Sequence, residues 1–129
     1  MAAEHSADVD QFIRDAIDTV PHLEALLLTW RGRANTWSET EMAAALYVPE
    51  EIAARILKDL EQKELLTRVP GEEVRYRYSS GSEAQDELMS RLNATYQREL
   101  IRISRMIHSK APSGVREFAR SFRFTKEEK

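Results

Sequence analysis

Five cationic side chains lie close together in the middle of the chain. Arg55 and Lys58 stand three apart in "PEEIAARILKDLEQK", and Arg68, Arg75 and Arg77 lie on either side of "VPGEE". Guanidinium and ammonium groups in this density suit phosphate, because they make charge-assisted hydrogen bonds and displace counterions from a polyanion. Two carboxylates argue the other way. Glu50 and Glu51 open the same helical stretch, where an acid complements the helix dipole but repels a phosphate. Ile52 and Ile56, four apart, fall on one helical face. With Glu50 and Glu51 they form an alternative surface, suited to a protein partner rather than to nucleic acid.

The remaining reactive residue types form no constellation. Cysteine is absent, which excludes disulfides, thiolate zinc sites and thiol nucleophiles and fits a reducing cytoplasm. His5, His22 and His108 are scattered without metal-ligand spacing, and the glycines form no phosphate-cradling loop. The expectation is a protein that is not an enzyme and needs no cofactor and no metal.

The 129 residues suit one domain with an extension, and 42% apolar with 32% charged residues fits a globular chain. No apolar run approaches the roughly 18 residues of a membrane span, and "MAAEHSADVD" has no apolar centre of the kind a signal peptide needs. A cytoplasmic location without membrane contact is expected. The net charge of −3 is unevenly spread: one arginine against five acids in residues 1–20, eight basic against ten acidic residues in 21–80, and ten against seven in 81–129. The central segment is therefore slightly acidic, and composition alone gives no support to a polyanionic partner; a local basic face would have to supply it.

Apolar spacing supplies the scaffold that must position these residues. Residues 8–19 place Val9, Phe12, Ile13, Ala16 and Ile17 on one helical stripe. Pro21 starts a second, strongly apolar helix to Arg31, since proline is tolerated at a first helical position, and Gly32 breaks it. Ser38 with Glu41 forms a capping box for a short helix over 38–45, with Trp37 placed to staple onto Met42. Pro49 opens the next helix, to about Lys63, with Ala53, Leu57 and Leu60 as its inner stripe. Residues 65–69 and the alternating "VRYRYS" form a hairpin. Ser82 with Gln85 caps a long helix to about Ser109, roughly 40 Å at about 1.5 Å per residue. Its stripe of Leu88, Leu92, Tyr96, Leu100, Ile103 and Ile107 is a candidate two-fold dimer interface. The segment "VREFARSFRF" beyond it is amphipathic and basic.

Three helices followed by a hairpin is the order of a winged helix-turn-helix. "EMAAALYVPEEIAARILKDLEQKELLTR" resembles the two-helix core and strand entry of bacterial winged-helix transcription regulators of the MarR-like and ArsR-like groups. Met42, Ala43, Leu46 and Val48 fill its apolar or small positions, and Leu65, Leu66 and Arg68 match the strand leading to the wing. Tyr47 and Glu64 stand where that pattern commonly has glycine. The resemblance implies a mainly α fold with a small β-hairpin, divided into an N-terminal helical arm (1–20), a winged-helix domain (21–80), a long dimerisation helix (81–110) and an amphipathic basic tail (111–129). It further implies a homodimer that binds double-stranded DNA through the helix 49–63 and the wing, with Arg55, Lys58, Arg68, Arg75 and Arg77 as the contacting set. The alternative is an interaction module of the same fold that binds a protein through Glu50, Glu51, Ile52 and Ile56.

Overall fold

Thr19 sets the first fixed point of the chain. Its extended backbone and its Oγ1, which accepts the His22 N–H at 3.3 Å, cap helix α2 (Val20–Arg31), with Pro21 in the first turn. In the computed structural model, which describes residues 2–79 and 81–110, α2 is preceded by α1 (Ala2–Ala16). It is followed by β1 (Trp37–Ser38), α3 (Glu39–Leu46), α4 (Glu50–Gln62), β2 (Leu66–Val69), β3 (Arg75–Tyr78), α5 (Glu83–Arg98) and α6 (Leu100–Lys110). The expected basic tail, 111–129, lies outside the described residues.

The mainly helical fold with a small sheet agrees with expectation. The capping box forms as read: Ser38 Oγ accepts the Glu41 N–H and a Glu41 carboxylate oxygen accepts the Ser38 N–H, both at 3.1 Å. Met42 is fully buried, and Trp37 is half-buried against the same core. The hairpin pairs β2 with β3 in the register Leu66↔Tyr78 and Arg68↔Tyr76, which turns Leu66, Tyr76 and Tyr78 inward and leaves Thr67 and Arg77 outside. One strand was not legible. Trp37–Ser38 joins the far edge of β3, giving the order β1-β3-β2. Two residues carry no alternation to read, so only the tertiary pairing reveals them.

Both helices of the helix-turn-helix end in Schellman closures built without glycine. At α3, Val48 N–H reaches Ala43 O (3.1 Å) and Tyr47 N–H reaches Ala44 O (3.4 Å), which requires Tyr47 at φ 59°. At α4, Leu65 N–H reaches Leu60 O (3.0 Å) and Glu64 N–H reaches Glu61 O (2.9 Å), with Glu64 at φ 64°. The turn after α3 is thus as tight as a glycine would make it, with Tyr47 bearing the left-handed backbone.

The C-terminal helix departs from expectation in two ways. It is not continuous: Glu99 leaves the helical region at φ −125°, ψ 46°, and α6 restarts at Leu100. No glycine or proline announces the break. It coincides with contacts of α1 to both α5 and α6, and with Arg102, which reaches back to Glu99 (2.5 Å) and across to Asp10 of α1 (3.0 Å). The second departure concerns the apolar stripe, which is the interior of the protomer and not a free dimer seam. Leu92, Ile103 and Ile107 are buried together with Val9 and Ile13 of α1 and with Ile17 just beyond it, and Tyr96 is buried as well. Leu88 is half-buried against the core, and of the six candidates Leu100 alone is exposed. Stripe and arm are complementary, and spacing cannot tell a partner's helix from the chain's own.

Leu92 accordingly contributes to folding rather than to association. Leu92→Ala should lower the unfolding free energy by about 2–5 kcal/mol, the range for emptying a leucine site. Chemical denaturation measures this, and sedimentation should show an unchanged association state.

Candidate nucleic-acid interface

Helix α4 packs against β2, the first strand of the hairpin. Ala53, Ile56, Leu57 and Leu60 are buried, so the inner stripe is wider than the one read from the sequence. Ile56 is only 2% exposed and belongs to the core, which removes it from the alternative partner surface. Ile52 remains there, 41% exposed, beside the exposed Glu50 and Glu51. Arg55 and Lys58 project from the same outer side. Pro49 caps α4 without any side-chain hydrogen bond, so the two glutamates supply the only side-chain charge in the first turn.

The five candidate cations separate into two groups. Arg75 is wholly engaged. Its Nη2 lies 2.6 Å from Glu41 Oε1 and its Nη1 2.6 Å from Glu73 Oε2, while Nε donates to Thr36 Oγ1 at 2.7 Å. Hydrogen bonding to Glu73 and the charge of Glu41 hold its pKa above the ordinary arginine value. Arg75 therefore fastens β3 to the start of α3 and is not a free phosphate ligand, a correction to its place in the candidate set. Arg68 is half engaged: its Nη2 donates to Glu61 (3.2 Å) and to Tyr76 Oη (3.3 Å), and its guanidinium lies 5.6 Å from the Tyr76 ring centre. Arg55, Lys58 and Arg77 are exposed and form no hydrogen bond or ion pair among the described residues. The signal distinguishing them was absent from local sequence, because Glu41 is 34 positions from Arg75.

A polar cluster behind α4 also went unread. His22, 6% exposed, has Nε2 at 2.9 Å from Asp59 Oδ2 of α4 and Nδ1 at 2.6 Å from Thr19 Oγ1. Asp18 joins them: the donor atoms of Asp18, His22 and Asp59 lie within 4.8 Å of one another, which is metal-ligating proximity. Lys63 already supplies a positive charge there, with Nζ at 3.3 Å from Asp18 and 2.7 Å from the Ala16 carbonyl that ends α1. The cluster ties α4 to the joint between α1 and α2.

On the opposite side, a cleft opens between α2, the end of α3 and α5. Glu24, Leu27, Arg31, Leu46, Asn93 and Tyr96 line it, with Tyr47 at its edge. Asn93 Oδ1 is buried there without a hydrogen-bond partner among the described residues. Tyr96 donates to Glu24 Oε2 at 3.1 Å, and burial, reinforced by the Glu24 charge, pushes its pKa up to about 12.

This arrangement of helices, hairpin and third strand is the MarR-like winged helix. Solved structures of that kind superpose over nearly the whole chain. MepR from Staphylococcus aureus, a transcription regulator of the multidrug efflux pump MepA, aligns with TM-score 0.54 and 13% identity, covering 98% of this chain and 90% of its own. RV1404 from Mycobacterium tuberculosis gives 0.53 and 17%, covering 98% and 82%. A MarR family protein from Bacillus stearothermophilus gives 0.50 and 20%, covering 98% and 86%. MepR has been solved bound to ethidium bromide, and a MepR mutant bound to an oligodeoxyribonucleotide. At these identities the likeness establishes the fold. No protein-family model matches the chain, and no curated protein matches it significantly. No helix among the described residues is long and apolar enough to cross a membrane.

The Tyr96 phenol gives a pH test. Its folded-state pKa is raised above the ordinary value of 10, so the stability it contributes is complete below about pH 10 and is lost as pH rises towards about 12. Tyr96→Phe should remove that part of the alkaline loss. Thermal melts of both proteins across this window check it.

Proposed function

We propose that this chain is a DNA-binding transcription regulator that acts as a homodimer and grips duplex phosphates through Arg55 and Lys58 of α4 and Arg77 of the wing. The observation that carries the reading is the presence of three exposed cations, without a partner among the described residues, on the helix and strand that a winged helix turns towards DNA. The oligodeoxyribonucleotide-bound MepR mutant supports the same use of the fold. Glu50 and Glu51 weaken non-specific attraction, so affinity rests on few contacts and on pairing two subunits. The partner-binding alternative loses support with Ile56 in the core. Leu100 and Ile101, exposed side by side at the start of α6, support a two-fold contact. The reading places the protein in the cytoplasm.

The cleft beside α2 takes the effector in this reading. Its unpaired Asn93 oxygen and the Glu24 carboxylate are both acceptors, so the ligand they suit carries hydrogen-bond donors on an apolar body. Ethidium, as a probe, should bind the wild type, and Asn93→Leu should abolish the fluorescence change.

The salt dependence of duplex binding, followed by anisotropy of a labelled duplex, tests the main reading. Each phosphate contact contributes about 0.9 to the slope of log affinity against log salt. Arg55→Ala and Arg77→Ala, each lost from both subunits, should each flatten the slope by about 1.8. Arg75→Ala should instead lower the melting temperature, because it leaves Glu41 and Glu73 unanswered. Glu50→Gln with Glu51→Gln should raise non-specific affinity. Absence of wild-type duplex binding at low salt, or a slope indifferent to Arg55 and Arg77, contradicts the proposal.

A further inference from the structure

A cavity of about 540 Å³ lies at the root of the hairpin, away from the cleft beside α2. It opens between the outer face of β2 and β3 and the turn that follows α2. Arg33, Ala34, Thr67, Arg77, Tyr78 and Ser79 line it, so two guanidiniums from separate elements share one space and no carboxylate lines it.

The two cations are held differently. Arg33 is fixed from behind: its guanidinium stacks 5.0 Å from the Trp30 ring centre, and Nη1 donates to the Trp30 carbonyl at 3.1 Å. Its acidic neighbour Asp86 stands 3.6 Å from Nη1, beyond hydrogen-bond range, and both side chains are half exposed, a pairing of little energetic weight. Asp86 is itself engaged by Trp30 Nε1 at 2.8 Å. Arg77 has no hydrogen bond or ion pair among the described residues. Across the hairpin, Thr67 and Ser79 hydrogen-bond through their hydroxyls. One of the two donates, which leaves the other's proton free for a third group.

Like charges facing one cavity repel, and nothing in the lining answers them. A phosphoryl group does: it brings a charge of about −1.5 to −2 at neutral pH and three acceptor oxygens, to meet two guanidinium forks and a spare hydroxyl donor. A carboxylate carries a single charge on two oxygens, which satisfies one arginine and leaves the other. We propose that Arg33 and Arg77 form a clamp for one phosphoryl group at the root of the hairpin, with the Thr67–Ser79 pair supplying a further donor. Two sources present that chemistry: a free phosphate or phosphomonoester, and a backbone phosphate of a bound duplex. The clamp shares Arg77 with the proposed duplex grip and otherwise stands apart from it.

The full chain is tested against both sources. In phosphorus NMR at constant ionic strength, the wild type should broaden the line of inorganic phosphate. Arg33→Ala and Arg77→Ala should each weaken that binding by roughly tenfold or more, as expected for hydrogen bonds to a charged group. Arg98→Ala, which removes an exposed arginine elsewhere, should leave it unchanged. Arg77 makes no contact on which the fold depends, so its variant reads binding even if Arg33→Ala disturbs the Trp30 stack. That result assigns a free phosphate. If the wild type leaves inorganic phosphate untouched, a labelled duplex decides. Arg33→Ala should then weaken duplex binding by roughly tenfold or more, and combining it with Arg77→Ala should weaken binding by less than the product of the two single effects, because both arginines hold one phosphate. Phosphate broadening indifferent to Arg33 and Arg77, or removed equally by Arg98→Ala, overturns the clamp, since phosphate then binds elsewhere. No broadening, together with duplex affinity that is indifferent to Arg33 or fully multiplicative with Arg77, also overturns it; if Arg55→Ala and Arg77→Ala still flatten the salt slope, the DNA-binding reading stands. A wild type that binds inorganic phosphate through both arginines but binds no duplex keeps the clamp and overturns that reading, and one that binds neither overturns both.

Discussion

The burial of α2 on almost every side is the constraint from which the rest of the molecule follows. Leu23, Ala25, Leu26, Leu27 and Thr29 are all withdrawn from solvent, and the helix touches α3, α4, β3, α5 and α6. A helix apolar around most of its circumference cannot lie on a surface; it must be enclosed. Enclosing it places the helix-turn-helix on one flank and the C-terminal helices on the other. The sole charged or strongly polar side chains it carries inward are answered: His22 by Thr19 and Asp59, and Thr29 Oγ1 by the Leu26 carbonyl at 2.8 Å. Both flanks are thereby referred to one rigid axis, and any ligand in the cleft against α2 bears on the same axis as the outer face of α4.

The fold was largely readable because its helices announce themselves twice, by apolar spacing and by caps. Ser38 with Glu41, Ser82 before Gln85 and Pro21 all stand where the structure starts a helix. What escaped reading depends on distant partners. The break at Glu99 has no local breaker, and β1 exists only because β3 offers it an edge. The stripe on α5 and α6 was correctly seen as apolar and assigned to the wrong partner, because a second copy and α1 satisfy the same periodicity.

The candidate interface was legible in residue type and illegible in availability. Five cations were visible in the sequence, but whether a cation is free depends on where the acids fold. Glu41 is spent twice, on the Ser38 cap and on Arg75, and Glu61 is spent on Arg68. Ile56 was misplaced for a related reason. A stripe three residues wide and one four residues wide differ by a single side chain, and the packing of α2 and β2 against α4 decides between them.

The two ends of α4 are anchored very differently. Its last turns carry Leu60 in the core, Asp59 on His22, and a Schellman closure into Leu65. Its first turn has Pro49, no side-chain cap, and exposed glutamates. The helix is in effect a cantilever, clamped where it enters the core and free where it leaves it. Local opening should begin at Glu50 and stop short of Ala53, the first residue of α4 whose side chain is fully buried. A cantilever of this kind can adjust its tip to a curved surface without disturbing its root. Shape-fitting at the tip then costs conformational entropy on each engagement, and contact is correspondingly quick to release.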